Sequence, residues 1–215
     1  QMLTTWSLLD PADLDATVEA WLRLSVPLVR AQRTASASLA SAYIRAFRAF
    51  EAPGGDLRVI VPPPLPADQA FTSLTVTGPA TVRSATARGV PLDQATRIGQ
   101  ATSARSAMRL ALDAGRQTIL DTVRADSQAV GWARATSGNP CAFCDMLASR
   151  GPAYSEDSVG FQAHDGCACA AEPVYDRDAA WPPGAREARD LWDESTTGLS
   201  GNDALNAFRR ARAAS

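Results

Sequence analysis

No lysine occurs in this chain: all 21 positive charges are arginine. Lysine chemistry, whether a Schiff base or a serine–lysine dyad, is thereby excluded, and the arginine bias itself reads as the mark of a GC-rich coding genome. Histidine is nearly as scarce, with His164 the only one, and the four cysteines are confined to a single stretch. An excess of positive charge is also missing. A formal net charge of −2 argues against a protein whose main task is gripping duplex DNA, because that binding rests on many phosphate neutralisations. No apolar run approaches the ~20 residues that a membrane helix requires, and the N-terminal region lacks a basic stretch leading into an apolar one. The chain therefore reads as soluble, and its start at Gln1 instead of methionine reads as a processed N-terminus. What is present, 46% apolar and 20% charged residues in 215, is ordinary globular composition, enough for one substantial core or two small ones.

Helical periodicity dominates the first half. Asp10-Pro11 has the form of an N-cap followed by proline at the first helical position. Leu14, Val18, Trp21 and Leu22 then recur at helical spacing, as do Leu39, Tyr43, Phe47 and Phe50, with Pro27 between them. This predicts two helices or one bent helix over about 11–51. After Pro53-Gly54-Gly55, the β-branched runs LRVIV (57–61) and SLTVT (73–77) predict a short β-hairpin around the proline-rich connector at 62–66. From Leu92 to about Arg124 lies the longest uninterrupted helical reading, with Ile98, Ala101, Met108, Leu112, Ile119 and Val123 on one face. At about 100° per residue, Arg105, Arg109 and Arg116 fall within about 40° of one another beside that face. They read as stems covering the core rim, or as a face for a partner or nucleic acid. AVGWARAT (129–136) and CACAAEPVYD (167–176) predict strands flanking a small β-rich knuckle. Beyond Pro182-Pro183-Gly184, segments 185–194 and 202–213 predict short helices too poor in large apolar residues to form a core, so they must dock elsewhere.

Between the two strands, CAFCDMLASRGPAYSEDSVGFQAHDGCAC (141–169) holds Cys141, Cys144, His164, Cys167 and Cys169. A Cys-x-x-Cys turn followed some twenty residues later by His-x-x-Cys-x-Cys has the spacing of a tetrahedral metal knuckle. Five candidate ligands compete for four positions, and Cys167 or Cys169, pointing to the same side of an extended segment, can be the fourth. Disulfides would need an oxidising compartment that nothing in the chain indicates. A thioredoxin-like pair would need a βαβ context that the sequence lacks. A Cys–His nucleophile is formally available, but catalysis needs one thiol where four are gathered. With four protein ligands a zinc ion has no open position and is structural. With three, Asp145, Glu156, Asp157 or Asp165 would be available as general bases; otherwise these are solvated loop charges.

The run GWARATSGNPCAFCDMLASRGPAY, followed by HDGCAC and EPVYD, resembles the C-terminal signature of phage head-morphogenesis proteins, the Mu F-type minor capsid family, in its actinobacteriophage form. The resemblance covers about 129–176, and the helical segment 92–128 is compatible with that family's body. It implies a minor head protein present in a few copies, bound to the portal protein or the major capsid protein at the inner face of the head. The implied location is the virion, after assembly in the host cytoplasm, with packaged DNA as a further contact and no membrane. It also implies a structural zinc ion on Cys141, Cys144, His164 and Cys167, with Cys169 as alternate ligand. Asp165 stands where many members carry proline, a departure that bears on the turn.

Members of this group are often labelled capsid maturation proteases. Here a serine–histidine protease would need His164, which the metal claims, and no Asp-Thr/Ser-Gly motif is present for an aspartic pair. A cysteine protease would have to give up the metal site. A third reading is a zinc-ribbon nucleic-acid binder using the Arg105/Arg109/Arg116 row or Arg209, Arg210 and Arg212. The expected architecture is α+β and predominantly helical: a helical body over 1–128 with the hairpin inserted near 57–77, a zinc knuckle over 129–176, and a helical tail over 177–215. Trp132, Phe143, Leu147 and Tyr154 are expected to pack around the metal, and the tail helices to expose apolar side chains toward a partner.

Overall fold

A computed structural model describes residues 2–152, 154, 160–161 and 163–214. The fold is mostly helical with one small sheet. Helices α1 (Met2–Trp6), α2 (Leu14–Glu51), α3 (Ala67–Thr77), α4 (Pro79–Ala87) and α5 (Leu92–Ala125) come first. They are followed by β1 (Gly131–Ala135), α6 (Ala142–Ala148), β2 (Ala170–Val174), α7 (Ala185–Thr196) and α8 (Gly201–Ala214).

Two compact units are formed. One comprises Gln1–Ser38, Pro62–Gly115 and Ala163–Cys167, the other Leu39–Val61, Arg116–Gln162 and Ala168–Ser215. The core of the first is built from Trp6, Trp21, Val29, Leu74, Val82 and Leu110, among others. In the second, Ile44, Ile119, Leu120, Val123, Trp132, Tyr154 and Ala171 are buried together.

Helix α2 is a single helix of 38 residues that carries Pro27 in its interior. An interior proline costs ~3 kcal/mol through its missing N–H and its ring. Burial of Trp21, Leu22, Val26 and Val29 on either side of it outweighs that cost, since each large apolar side chain contributes about 1.5–3 kcal/mol when fully buried. The cap lies later than Asp10. Asp13 Oδ1 accepts from the Ala16 amide at 3.2 Å, whereas Asp10 Oδ1 accepts from Ala12 in the preceding turn.

The expected hairpin near 57–77 does not form. Residues 57–61 run without a strand partner, with the Ile60 amide donating to Thr122 Oγ1 at 3.0 Å and Leu57 and Val59 packed on the second core. Residues 73–77 close α3, where Ala70 and Leu74 are fully buried and Thr77 Oγ1 donates back to the Ser73 carbonyl at 2.7 Å. β-Branched composition is a preference of fractions of a kcal/mol, and an apolar face with helical spacing overrides it.

Helix α5 has the expected extent, but its N-terminal half buries a different face. Ala95, Ser103, Ala107, Leu110 and Ala114 point inward, while Ile98 is exposed and Met108 and Leu112 are half-buried. Small side chains pack inward there, which a search for large apolar residues overlooks.

Strands β1 and β2 pair antiparallel, from Gly131 opposite Val174 to Ala135 opposite Ala170. Pro173, opposite Trp132, has no amide to donate. The Trp132 amide donates outside this pair, to the Tyr154 carbonyl at 2.9 Å, and the Trp132 and Tyr154 rings stack at 4.2 Å. The tail helices α7 and α8 pack on α6 and on each other, with Trp192 against a fully buried Phe208. They do not present the exposed apolar face that their composition suggested; of their large apolar residues, Leu191, Trp192 and Leu205 are half-buried.

Candidate metal centre

The Cys-x-x-Cys turn is the start of a helix. Cys141, extended at φ −75° and ψ 158°, is the N-cap residue of α6, and Cys144 lies within its first turn. The Asp145 amide donates to the Cys141 carbonyl at 3.0 Å, closing that turn. A residue at the cap and another three positions on lie on the same side of a helix start, so both sulfurs face one way. On the second ligand segment, the Cys167 amide donates to the His164 carbonyl at 3.0 Å. The reversal passes through Gly166, whose φ of +84° lies in the left-handed region that favours glycine. His164 Nδ1 lies 3.0 Å from the Asp165 carbonyl oxygen.

These segments bring the five residues into two overlapping groups. The sulfurs of Cys141 and Cys144 and a ring nitrogen of His164 lie within 4.8 Å of one another, as do the sulfurs of Cys144, Cys167 and Cys169. Cys144, Cys167 and Cys169 are buried, Cys141 and His164 exposed. No disulfide joins any of the four cysteines among the described residues.

The surrounding carboxylates are otherwise engaged. Asp145 is buried and accepts from Arg212 Nε at 2.6 Å, and Asp165 accepts from Arg109 Nε at 2.5 Å. Asp145 is therefore not the solvated loop charge that the sequence suggested, whereas Asp165 is an exposed turn residue as expected; with each held by an arginine, neither is placed as an unencumbered base. Glu156 and Asp157 lie outside the described residues. A donor set of thiols and one imidazole, with the described carboxylates Asp145 and Asp165 held by arginine, fits a borderline or soft ion such as zinc, not calcium or magnesium, which demand oxygen ligands.

The arginine row of α5 has a role that spacing alone did not reveal. The Arg105 carbonyl accepts from the Gly166 amide at 3.2 Å, and a Cβ on Gly166 would meet Arg105 Cγ at 3.2 Å. Arg109 bridges Asp165 and Asp113. Arg116, buried, donates through Nε to the Cys169 carbonyl at 3.0 Å and lies 5.0 Å over the Phe161 ring. Arg109 and Arg116 therefore engage the ligand-bearing segment 165–169 through their guanidinium groups, while Arg105 contributes its carbonyl and aliphatic stem and is itself exposed. Arg212 is likewise committed to Asp145. Trp132 and Tyr154 belong to the apolar cluster beside the sheet, where Tyr154 Oη donates to the Leu147 carbonyl of α6 at 2.8 Å.

The site and fold together define a class: a small, mainly helical protein with one cysteine–histidine cluster able to hold a metal ion, in which no described helix is long and apolar enough to cross a membrane. The chain matches the VG15 protein family over residues 1–195 and belongs to that viral family. No curated protein and no solved structure matches it significantly.

Proposed function

We propose that this protein is a structural minor head component of a tailed phage, acting at the portal or the inner capsid face in head assembly or DNA delivery, with a structural zinc ion in its C-terminal half. The observation that carries this reading is the convergence of Cys141, Cys144, His164, Cys167 and Cys169 within the stretch that resembles head-morphogenesis proteins, in a chain of viral family. Cys141, Cys144, His164 and Cys167 would hold the ion, with Cys169 the alternate fourth ligand. Bound there, zinc would supply folding free energy to a region whose described residues form only a two-stranded sheet and a seven-residue helix, since metal binding to a set of ligands not assembled in the unfolded chain stabilises the fold directly.

A partner surface is offered by α2. In the second unit, Leu39 (72% exposed), Tyr43 (42%) and Phe50 (83%) stand out along one side of α2, and a contiguous exposed apolar strip, unlike a single exposed residue, marks an interaction surface. They replace the tail helices as the surface on which portal or capsid binding is expected.

The test combines elemental mass spectrometry of the tag-free protein, thiol titration before and after chelation, and co-expression with the phage's portal protein. One zinc per chain, thiols released by chelator and co-purification with portal are the expected results. Absence of metal together with freely reactive thiols would overturn the zinc assignment, and cleavage of capsid protein lost on Cys141→Ser would replace this reading with a protease.

A further inference from the structure

The end of α6 opposite Cys141 opens onto a second feature. Arg150, Trp181, Arg186, Arg189 and Asp190 line a pocket of about 460 Å³, within the ~300–1,000 Å³ range of small-ligand sites. Three guanidinium groups face one carboxylate there, in a chain whose overall charge is negative.

The wall is built, not incidental. Trp181 lies flat against Gly151, where a Cβ would meet the indole atoms at 2.7 Å, and Gly151 itself has φ +66°. Any other residue at 151 would displace the indole. Arg186 lies over the same ring, its guanidinium carbon 5.4 Å from the centroid, an arrangement that limits its rotamer freedom before any ligand arrives. Arg189 Nε donates to Asp193 one turn further on at 2.7 Å. This exposed pair contributes little to stability and leaves the rest of the Arg189 guanidinium fork available. No side chain caps α7, which begins beside Arg186.

We propose that this pocket binds a nucleotide, with its phosphate held by Arg150, Arg186 and Arg189. Planar guanidinium forks match phosphate oxygens in bidentate geometry. Asp190 is what separates a nucleotide from bare phosphate, because a carboxylate repels the anion but accepts a hydrogen bond from a sugar hydroxyl or a base amino group. The indole supplies an apolar edge for the base. The source is either an unattached nucleotide or one residue of a single strand, and the chemistry of recognition is the same. The proposal stands on the turn after α6, on Trp181 and on the first turns of α7, and does not rest on the head-protein reading.

Isothermal titration calorimetry of the full chain at low salt, with a deoxynucleoside monophosphate, inorganic phosphate and a short single-stranded oligonucleotide in separate runs, tests it. Nucleotide binding that weakens at least tenfold in Arg186→Gln and in Arg150→Gln, with circular dichroism and metal content unchanged, is the expected result. Should a glutamine variant not fold, Arg186→Lys keeps the charge and loses the fork, and is expected to weaken binding several-fold. Tighter oligonucleotide binding with a steeper salt dependence assigns the pocket to a strand, and equal affinity assigns it to unattached nucleotides. Inorganic phosphate bound as tightly as the nucleotide, nucleotide binding indifferent to both arginines, or no binding at all would overturn the proposal.

Discussion

Asp145, the residue after Cys144 on α6, accepts a hydrogen bond at 2.6 Å from Arg212 Nε on α8, with side chains 6% and 35% exposed respectively. The last helix of the chain is thus tied to the cysteine turn by a largely desolvated ion pair. Removing the arginine leaves a buried carboxylate uncompensated, which costs about 3–5 kcal/mol at a fully buried site. Partial exposure of Arg212 lowers that figure. Arg212→Ala is therefore expected to lose about 1–3 kcal/mol in urea denaturation. Asp145→Asn combined with Arg212→Ala is expected to cost less than the sum of the two single changes; strict additivity would sink the pairing.

Removal of metal is the second expectation. With chelator, the cluster loses the cross-link between the Cys141-Cys144 turn and the 164–169 segment, while the Trp21–Leu74–Val82 core contains none of the ligands. Hydrogen exchange should accelerate first over β1, α6 and β2 and leave the amides of α3 and α4 protected. Uniform acceleration along the chain, or none, would count against a metal that stabilises the C-terminal region. Cys144→Ser should reproduce the chelator effect more fully than Cys169→Ser, because Cys144 belongs to both ligand groups.

How much of this was legible in the sequence follows from the range of the forces involved. The two strands, the long α5 and the two tail helices were readable because local periodicity and glycine or proline boundaries determine them. The convergence of the cysteines and His164 was readable because the spacing within each segment is itself a short-range constraint. The stretch 57–77 was misread since its β-branched residues state a weak preference, whereas the burial of Leu74 that makes α3 helical depends on partners distant in sequence. For the same reason Arg116 could be read only as a stem on the core rim or as part of a basic face. Only the fold shows it buried and donating to the Cys169 carbonyl. The Asp145–Arg212 pair, far apart in the chain, left no signal in spacing at all.

A pH dependence follows from Glu172 on β2. Burial first, and then the neighbouring Glu51 carboxylate, hold its carboxyl above the usual range. The facing Tyr43 is raised to about 12 by burial and by Glu172 and Glu51. Because Glu172 binds its proton more tightly in the folded than in the unfolded chain, the folded state holds more protons between the two pKa values, and stability rises as pH falls through that window. Its charged form is thus a destabilising element at neutral pH. Glu172→Gln should raise the Tm at pH 7, and the gain should shrink as pH falls through the raised pKa toward the ordinary carboxyl value. A gain that is the same at both ends of the window would show that packing, not ionisation, is responsible.

The exposed apolar residues of α2 yield the last expectation. Phe50 and Leu39 bury little of their surface within the chain, so truncating them forfeits almost none of the burial free energy that core residues contribute. Phe50→Ser and Leu39→Ser are expected to change the Tm by no more than surface substitutions usually do, about 0.5 kcal/mol in stability. Both should improve the solubility of the isolated protein. If α2 is the surface that meets the portal or capsid, the same variants should co-purify with that partner much less than the unaltered chain. A loss of co-purification accompanied by a large fall in Tm would instead show that these side chains hold the fold. Full co-purification by the double variant would move the partner surface away from α2.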